Sequence, residues 1–187
     1  MRSIGLTGIL YLALSQPAVA LDAPPPFQTC TDYHCDVRVS VTLNTSQWQE
    51  IRQLFTPQLT AQAERAQIKK AIARMEQIVG ALNGTAQDMA ENDGEGSKPG
   101  QLDCIAESLN TTTYLQLIEQ DNLLKWHQVA ERKRRNPWLF DIHWSATILE
   151  RESQQVYAVD SWFFENGHPP VIQPIEVWLS GQAFIQN

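Results

Sequence analysis

Three side chains of this sequence, Cys104, His143 and Asp160, could together carry out nucleophilic chemistry at an amide carbonyl. A thiol becomes a strong nucleophile when it loses its proton, and an imidazole can take that proton and later deliver one to a leaving amine. A carboxylate can hold the imidazole in the tautomer that this exchange needs. These residue types in this order predict acyl transfer through a thioester on Cys104.

Cys104 stands out because the other two cysteines, Cys30 and Cys35, are close enough in the sequence to pair with each other. In an oxidising compartment, a third cysteine is either the partner of another chain's thiol or a reactive nucleophile. Cys30, His34 and Cys35 could instead act as metal ligands. A structural zinc site needs a fourth ligand, and none is evident nearby, so we expect a disulfide and neither a metal nor a cofactor.

The first twenty residues have the pattern of a secretory signal peptide. Arg2 supplies the positive start, the apolar run 4–14 is too short to span a bilayer, and Ala18-Val19-Ala20 is a small-residue cleavage pattern. We expect cleavage after Ala20, a periplasmic or secreted protein, and no stable insertion into the membrane.

The charge of the chain argues against nucleic acid as a partner. With 14 Lys and Arg against 21 Asp and Glu, the formal net charge is −7, and phosphate contacts need clustered basic side chains. The length after cleavage suits one domain with a sizeable core. We expect residues 21–36 to form an extended leader that includes the disulfide, and residues 37–187 to form the single domain.

Apolar residues spaced by three and four positions predict three helices. A short helix should begin with Ser46 as its cap and end near Phe55, and a longer one should begin near Thr60. The third helix should begin at Cys104 and end at Asp121, which places the thiol where the helix dipole stabilises a thiolate. The stripe of the second helix that should face the core consists of Ile68, Ile72, Met75, Val79 and Leu82.

Alternation of apolar and polar residues predicts strands over 36–43, 123–129, 138–150 and 156–162. The basic run 132–135 is expected to be a solvated turn. Since the strands cluster in the last third of the chain and follow the helices, the pattern favours an α+β fold in which helices pack on an antiparallel sheet.

The last two predicted strands form an antiparallel hairpin, and its register decides whether His143 can meet Asp160. A four-residue turn over 150–153 pairs Leu149 with Gln154 and puts His143 directly opposite Asp160 on one face. The same register matches apolar residues with apolar residues, whereas a slip of one residue would send the two side chains to opposite faces. We expect the third helix to cover that face.

An oxyanion formed during acyl transfer needs hydrogen-bond donors close to the nucleophile. The backbone N–H groups at the start of the third helix could supply them, and Gln101, three residues before Cys104, is the candidate side chain that assists.

These residues resemble those of the transglutaminase-like superfamily of cysteine enzymes, which share a papain-like core. The similarity lies in Cys104-Ile105-Ala106 at a helix start, in His143-Trp144, and in Val159-Asp160-Ser161-Trp162. In that family the Cys helix packs on an antiparallel sheet, and His and Asp stand on neighbouring strands. The resemblance implies a Cys104–His143–Asp160 triad supported by Trp144 and Trp162, and a peptide, protein or cell-wall amide as substrate.

Hydrolysis and transfer to an amine remain open alternatives for this chemistry. A rival interpretation is a non-catalytic periplasmic binding or assembly module that keeps the fold. It would use the acidic loop 91–95 and the Gly167-His168-Pro169-Pro170 segment to recognise a partner. A third alternative is an intermolecular disulfide at Cys104.

Overall fold

The computed structural model describes residues 22–57, 60–93, 99–136 and 142–181. The predicted signal peptide, residues 1–20, lies outside these ranges, and so does the beginning of the predicted strand 138–150. No helix within them is long and apolar enough to cross a membrane.

The described chain has an α+β architecture with two antiparallel sheets, as the sequence predicts. A two-stranded sheet pairs β1 with β2, and a four-stranded sheet has the order β3-β4-β5-β6. The elements in chain order are β1 (Phe27–Cys30), β2 (Arg38–Val41), α1 (Thr45–Gln53), α2 (Ala61–Asn83), α3 (Cys104–Gln120), β3 (His127–Arg135), β4 (His143–Glu150), β5 (Val156–Asp160), β6 (Val171–Pro174) and α4 (Ile175–Leu179).

The segment that was expected to be an extended leader is part of the fold. Its residues 27–30 form β1, in which Phe27 pairs with Val41, and Phe27 is buried in the main core. Cys30 and Cys35 are joined by the predicted disulfide. Asn110 of α3 binds both backbone polar groups of Cys30, at 2.8 and 3.1 Å, and thereby fixes this sheet to the third helix.

The first two helices begin at side-chain caps. Asn44, and not Ser46, caps α1, because its side chain accepts from the N–H of Gln47 while Gln47 reaches back to the N–H of Asn44. α2 begins at Ala61, near the expected position, and Thr60 caps it. Most of the predicted stripe of α2 is buried, but Leu82 in its last turn is 51% exposed and does not contribute to the core.

The hairpin of β4 and β5 has a register two residues away from the predicted one. Ala146 pairs with Val159 and Leu149 with Val156, because the turn spans residues 151–154, with a hydrogen bond from the N–H of Glu150 to Gln155 O. A shift of two residues preserves which side chains share a face. His143 and Asp160 are therefore on one face but diagonal to each other, and not directly opposite.

The basic run 132–135 is a strand, and not the solvated turn that was expected. It forms the second half of β3, and Arg135 at its end is buried beside His143 of β4. Between Ala130 and Lys133 the pairing contains a β-bulge. β3 begins at His127, whose imidazole is fully buried against Glu64 at 2.9 Å.

The two faces of the four-stranded sheet are covered by different helices. Ala146, Ile148 and Val159 pack with α2 and α3 in the main core. Ala158, on the face of His143 and Asp160, packs instead with Trp178 of α4. The expectation that the third helix covers the His143 face is therefore wrong, since α3 supplies too many apolar side chains to the opposite face of the sheet to lie on this one.

Candidate active site

Cys104 is the first residue of α3 and is partly exposed. Asp103 caps the helix by accepting from the N–H of Ala106 at 2.9 Å, and its other carboxylate oxygen accepts from the N–H of His34. The amide groups of Cys104 and Ile105 have no acceptor among the described residues, as is usual for the first turn of a helix. The sulfur therefore stands beside unused N–H donors at the positive end of the helix dipole.

The start of β4 lies against this end of α3. The Cys104 sulfur is 3.9 Å from the carbonyl oxygen of Ile142, and it lies close enough to His143 to help raise the pKa of the imidazole. Cys104 thus meets His143 at the end of the sheet, where the first residue of a helix and the first residue of a strand come together.

The second nitrogen of His143 is held by a buried carboxylate. Nε2 lies 2.7 Å from Oδ2 of Asp160, and each of the two residues is only 2% exposed. Because Nε2 must donate to a carboxylate, Nδ1 is the nitrogen that faces the thiol. The three residues selected from the sequence are therefore joined in the order Cys104, His143, Asp160.

The Asp160 carboxylate has two further donors. The indole Nε1 of Trp178 donates to Oδ2 at 2.7 Å, and the backbone N–H of Trp162 lies 3.4 Å from Oδ1. Arg135 in turn donates to the carbonyl oxygen of Trp178 at 2.8 Å. These bonds hold the carboxylate in a single orientation toward His143.

Aromatic rings enclose the imidazole of His143. Its centroid lies 4.6 Å from that of Trp162, 5.4 Å from Phe163 and 5.7 Å from Trp178. Trp162 is anchored in turn, because its indole N–H donates to the carbonyl oxygen of Asn92 at 2.6 Å. The rings keep water away from the His143–Asp160 contact, which strengthens the electrostatic interaction between the two side chains.

The pKa of His143 follows from two opposed effects. Burial by itself lowers the pKa, but the hydrogen bonds and negative charge of Asp160 and Cys104 outweigh it and raise the pKa to about 9. At neutral pH the imidazole is accordingly protonated.

Gln101 and Trp144 were also expected to support the site, but their side chains make other contacts. The amide of Gln101 is committed to the preceding loop, because Nε2 donates to the carbonyl oxygen of Gln87 at 2.7 Å and Oε1 accepts from Asn92 at 2.7 Å. These bonds turn the Gln101 amide toward the preceding loop, and the backbone amides at the start of α3 are the better candidates for an oxyanion. Trp144 lies beside Arg132, with the guanidinium carbon 4.9 Å from its ring centroid.

A buried group of three carboxyl side chains lies behind the site. Glu107, one turn after Cys104 on α3, hydrogen-bonds Asp88, and burial raises the pKa of both side chains. Burial and the nearby Asp88 also raise the pKa of Glu76 to about 8. A hydrogen bond between two carboxyl groups requires a shared proton, so this group is partly protonated at neutral pH.

Two residues of the site were not selected from the sequence. Trp178 is 18 positions from Asp160 in the chain, and a single tryptophan in a short helix has no pattern that would reveal its partner. Arg132 was expected to lie in a turn, and the direction of its side chain depends on the β-bulge in β3. His34, considered as a metal ligand, lies beside the Cys30–Cys35 disulfide, and no group of three or more potential ligands is found in the described ranges.

Comparison with known proteins returns no match. No protein-family model fits the chain, and neither a curated protein nor a solved structure is significantly similar to it.

Proposed function

We propose that this protein is a cysteine enzyme that acts on amide bonds through a thioester on Cys104. The observation that carries the proposal is that Cys104 lies beside His143, and that Nε2 of His143 is 2.7 Å from the buried carboxylate of Asp160. A structural cysteine needs neither an imidazole nor a carboxylate behind it. Nucleophilic catalysis needs both.

The proposed reaction has two steps, formation of the thioester and its breakdown. In the first, the Cys104 thiolate adds to the amide carbonyl carbon, and Nδ1–H of His143 delivers its proton to the leaving amine as the C–N bond breaks. In the second, water or an acceptor amine gives a proton to His143 and attacks the thioester, and the carbonyl carbon–sulfur bond breaks to return the thiolate. Asp160 keeps its negative charge throughout and orients the ring.

The oxyanion of each tetrahedral intermediate would be stabilised by backbone N–H groups at the start of α3. The amides of Cys104 and Ile105 have no other acceptor among the described residues, so they can donate without losing an existing bond.

We also propose that the α+β fold contains a transglutaminase-like core, which the arrangement of the three residues supports. A cysteine opens a helix that packs on an antiparallel sheet, and a histidine and an aspartate stand on adjacent strands β4 and β5. We further propose that the protein works outside the cytoplasm, with a peptide, protein or cell-wall amide as substrate. The disulfide and the signal-like residues 1–20 support that compartment.

Alkylation of Cys104 tests the proposal, because Cys104 is the free cysteine and the other two are joined. Under non-reducing conditions iodoacetamide should label the wild type rapidly at pH 7, and Cys104→Ala should abolish both labelling and amide hydrolysis. His143→Gln should slow labelling at least about tenfold, because the cation that stabilises the thiolate is lost. Replacing His168 by Gln is the matched control, since this histidine is exposed on a loop.

A wild-type rate equal to that of His143→Gln would overturn the proposal and favour the non-catalytic binding module. A covalent dimer on non-reducing electrophoresis that disappears in Cys104→Ala would instead identify an intermolecular disulfide.

A further inference from the structure

Arg132 lies on the Cys104 side of β3 because of the β-bulge. Ala130 pairs with Thr147 and Lys133 pairs with Ser145, so β3 contains one residue more than β4 between these pairs. A bulge of this kind bends the strand locally and redirects a side chain. Here the guanidinium of Arg132 donates to the Ser108 hydroxyl at 3.0 Å.

The hydrogen bond to Ser108 places Arg132 against the same helix face as the nucleophile. Ser108 lies four residues after Cys104 on α3, and residues at this spacing are neighbours on one face, about 6 Å apart along the helix axis. Arg132 also lies within electrostatic range of the Cys104 sulfur. The cation is thus about one helical turn from the reacting atom.

Two contacts fix the guanidinium and leave it able to bind an anion. It stacks 4.9 Å above the ring of Trp144 and uses one donor for Ser108. No carboxylate of the described residues forms an ion pair with Arg132. A planar guanidinium that is held on an aromatic ring and has donors to spare is suited to a carboxylate, which it can bind through two parallel hydrogen bonds.

An open groove of about 710 Å³ runs between α3 and β3, and Arg132 and Trp144 are among its lining residues. Two carboxylates share the lining. Glu119 is engaged with the N–H of Val129 at 3.1 Å and lies fifteen residues after Cys104 on the helix, and Glu131 is the exposed residue before Arg132 in β3. Arg132 is the cation of this lining.

A second cation lies near Arg132. The chain has a net charge of −7, yet Arg132 lies within electrostatic range of a second cation, Arg38. Burial and the charge of Arg38 lower the pKa of Arg132. An anionic ligand would relieve this repulsion.

We infer that Arg132, with Trp144 and Ser108, forms a subsite for a carboxylate of the substrate next to the bond that Cys104 attacks. The substrate class is thereby narrowed to amides that carry a carboxylate close to the scissile carbonyl. This inference rests on the proposed function.

Two alkylating reagents that differ only in charge test the subsite without a known substrate. Iodoacetate carries a carboxylate one carbon from the atom that Cys104 attacks, and iodoacetamide carries a neutral amide there. The ratio of the iodoacetate rate to the iodoacetamide rate should fall roughly tenfold in Arg132→Gln, because a charge-assisted pair of hydrogen bonds to the anionic reagent is lost. Arg132→Lys should give an intermediate ratio.

Lys133→Gln is the matched control, since it removes the same charge from an exposed neighbour in β3 that pairs with Ser145. Its ratio should equal that of the wild type. The iodoacetamide rate also reports whether each variant keeps an intact site.

The outcomes separate the two proposals. If iodoacetamide reacts slowly and independently of His143, the proposed function fails. If it reacts rapidly and depends on His143, but Arg132→Gln leaves the ratio unchanged or lowers it no more than Lys133→Gln does, the carboxylate subsite is wrong while the cysteine enzyme stands.

Discussion

Trp178 donates its indole N–H to the Asp160 oxygen that also binds His143, at 2.7 Å in each case. The donor comes from α4, and the indole is fully buried. A carboxylate oxygen shared by an imidazole and an indole has little freedom to turn away from either. Trp178 is therefore a positioning residue that acts on His143 through Asp160.

Trp178→Phe should keep the ring and remove this hydrogen bond. We expect the free energy of unfolding to fall by about 2 kcal/mol, the usual contribution of a hydrogen bond to a charged group, and Cys104 alkylation at pH 7 to slow several-fold. Chemical denaturation and alkylation rates measure the two effects. Trp48→Phe is the matched control, because Trp48 is also fully buried and donates to Asp121 at 2.9 Å.

The control should lose similar stability and keep the wild-type alkylation rate. Equal alkylation rates in both variants would show that Trp178 contributes to packing alone.

His143 should make stability depend on pH. Its pKa is raised from 6.5 to about 9, so the folded state binds the proton more tightly than the unfolded state does. The stabilisation, about 3 kcal/mol, is fully present below pH 6.5 and is lost as the pH rises through 9. Urea unfolding of wild type and His143→Gln between pH 6 and 10 measures it. The difference between the two proteins should shrink with rising pH, and a constant difference would contradict the assignment.

Burial of the Glu76 carboxyl group should lower the free energy of unfolding at alkaline pH. Burial raises its pKa from 4.5 to about 8, so the folded state holds a proton that the unfolded state releases above pH 4.5. Stability therefore falls as the pH rises from 4.5 through 8. Glu76→Gln mimics the protonated form, and its oxygen can still accept from the N–H of Gly167.

This variant should be a few kcal/mol more stable than the wild type at pH 9 and nearly equal to it at pH 4.5. Thermal unfolding at the two pH values measures the difference, and Glu50→Gln, at an exposed position, is the control. A gain of the same size at both pH values would show that Glu76 is not protonated in the fold.

Asn110 should be essential for fixing β1 to α3. Its side chain binds the N–H and the carbonyl of Cys30 in a buried position. Asn110→Ala leaves two buried backbone groups without partners, which should lower the free energy of unfolding by about 3 kcal/mol. Thr113→Ala, on the same helix, removes only a hydroxyl that donates to the carbonyl of Leu109 and should change stability by about 0.5 kcal/mol or less. Equal losses in the two variants would contradict this role.

The shared face of His143 and Asp160 was predictable because side chains alternate strictly along a strand. The apolar residues of β4 and β5 select which face is buried, and that choice survives a register shift of two residues. The position of the turn was not predictable in the same way. Gln154 adopts a left-handed conformation, with φ of 59°, and the four-residue turn lies one residue later in the chain than expected.

Local patterns in the sequence determined the helix that begins at Cys104, the parity of the two strands and the pairing of the nearby cysteines, because each depends on residues close in the chain. Tertiary packing alone decided that α4 covers His143, that Trp178 binds Asp160, that Gln101 is committed to the loop before α3, and that Arg132 binds Ser108 on the helix of the nucleophile. These contacts join residues whose types are compatible with many partners. Only the three-dimensional arrangement of the sheet and helices selects one partner among them.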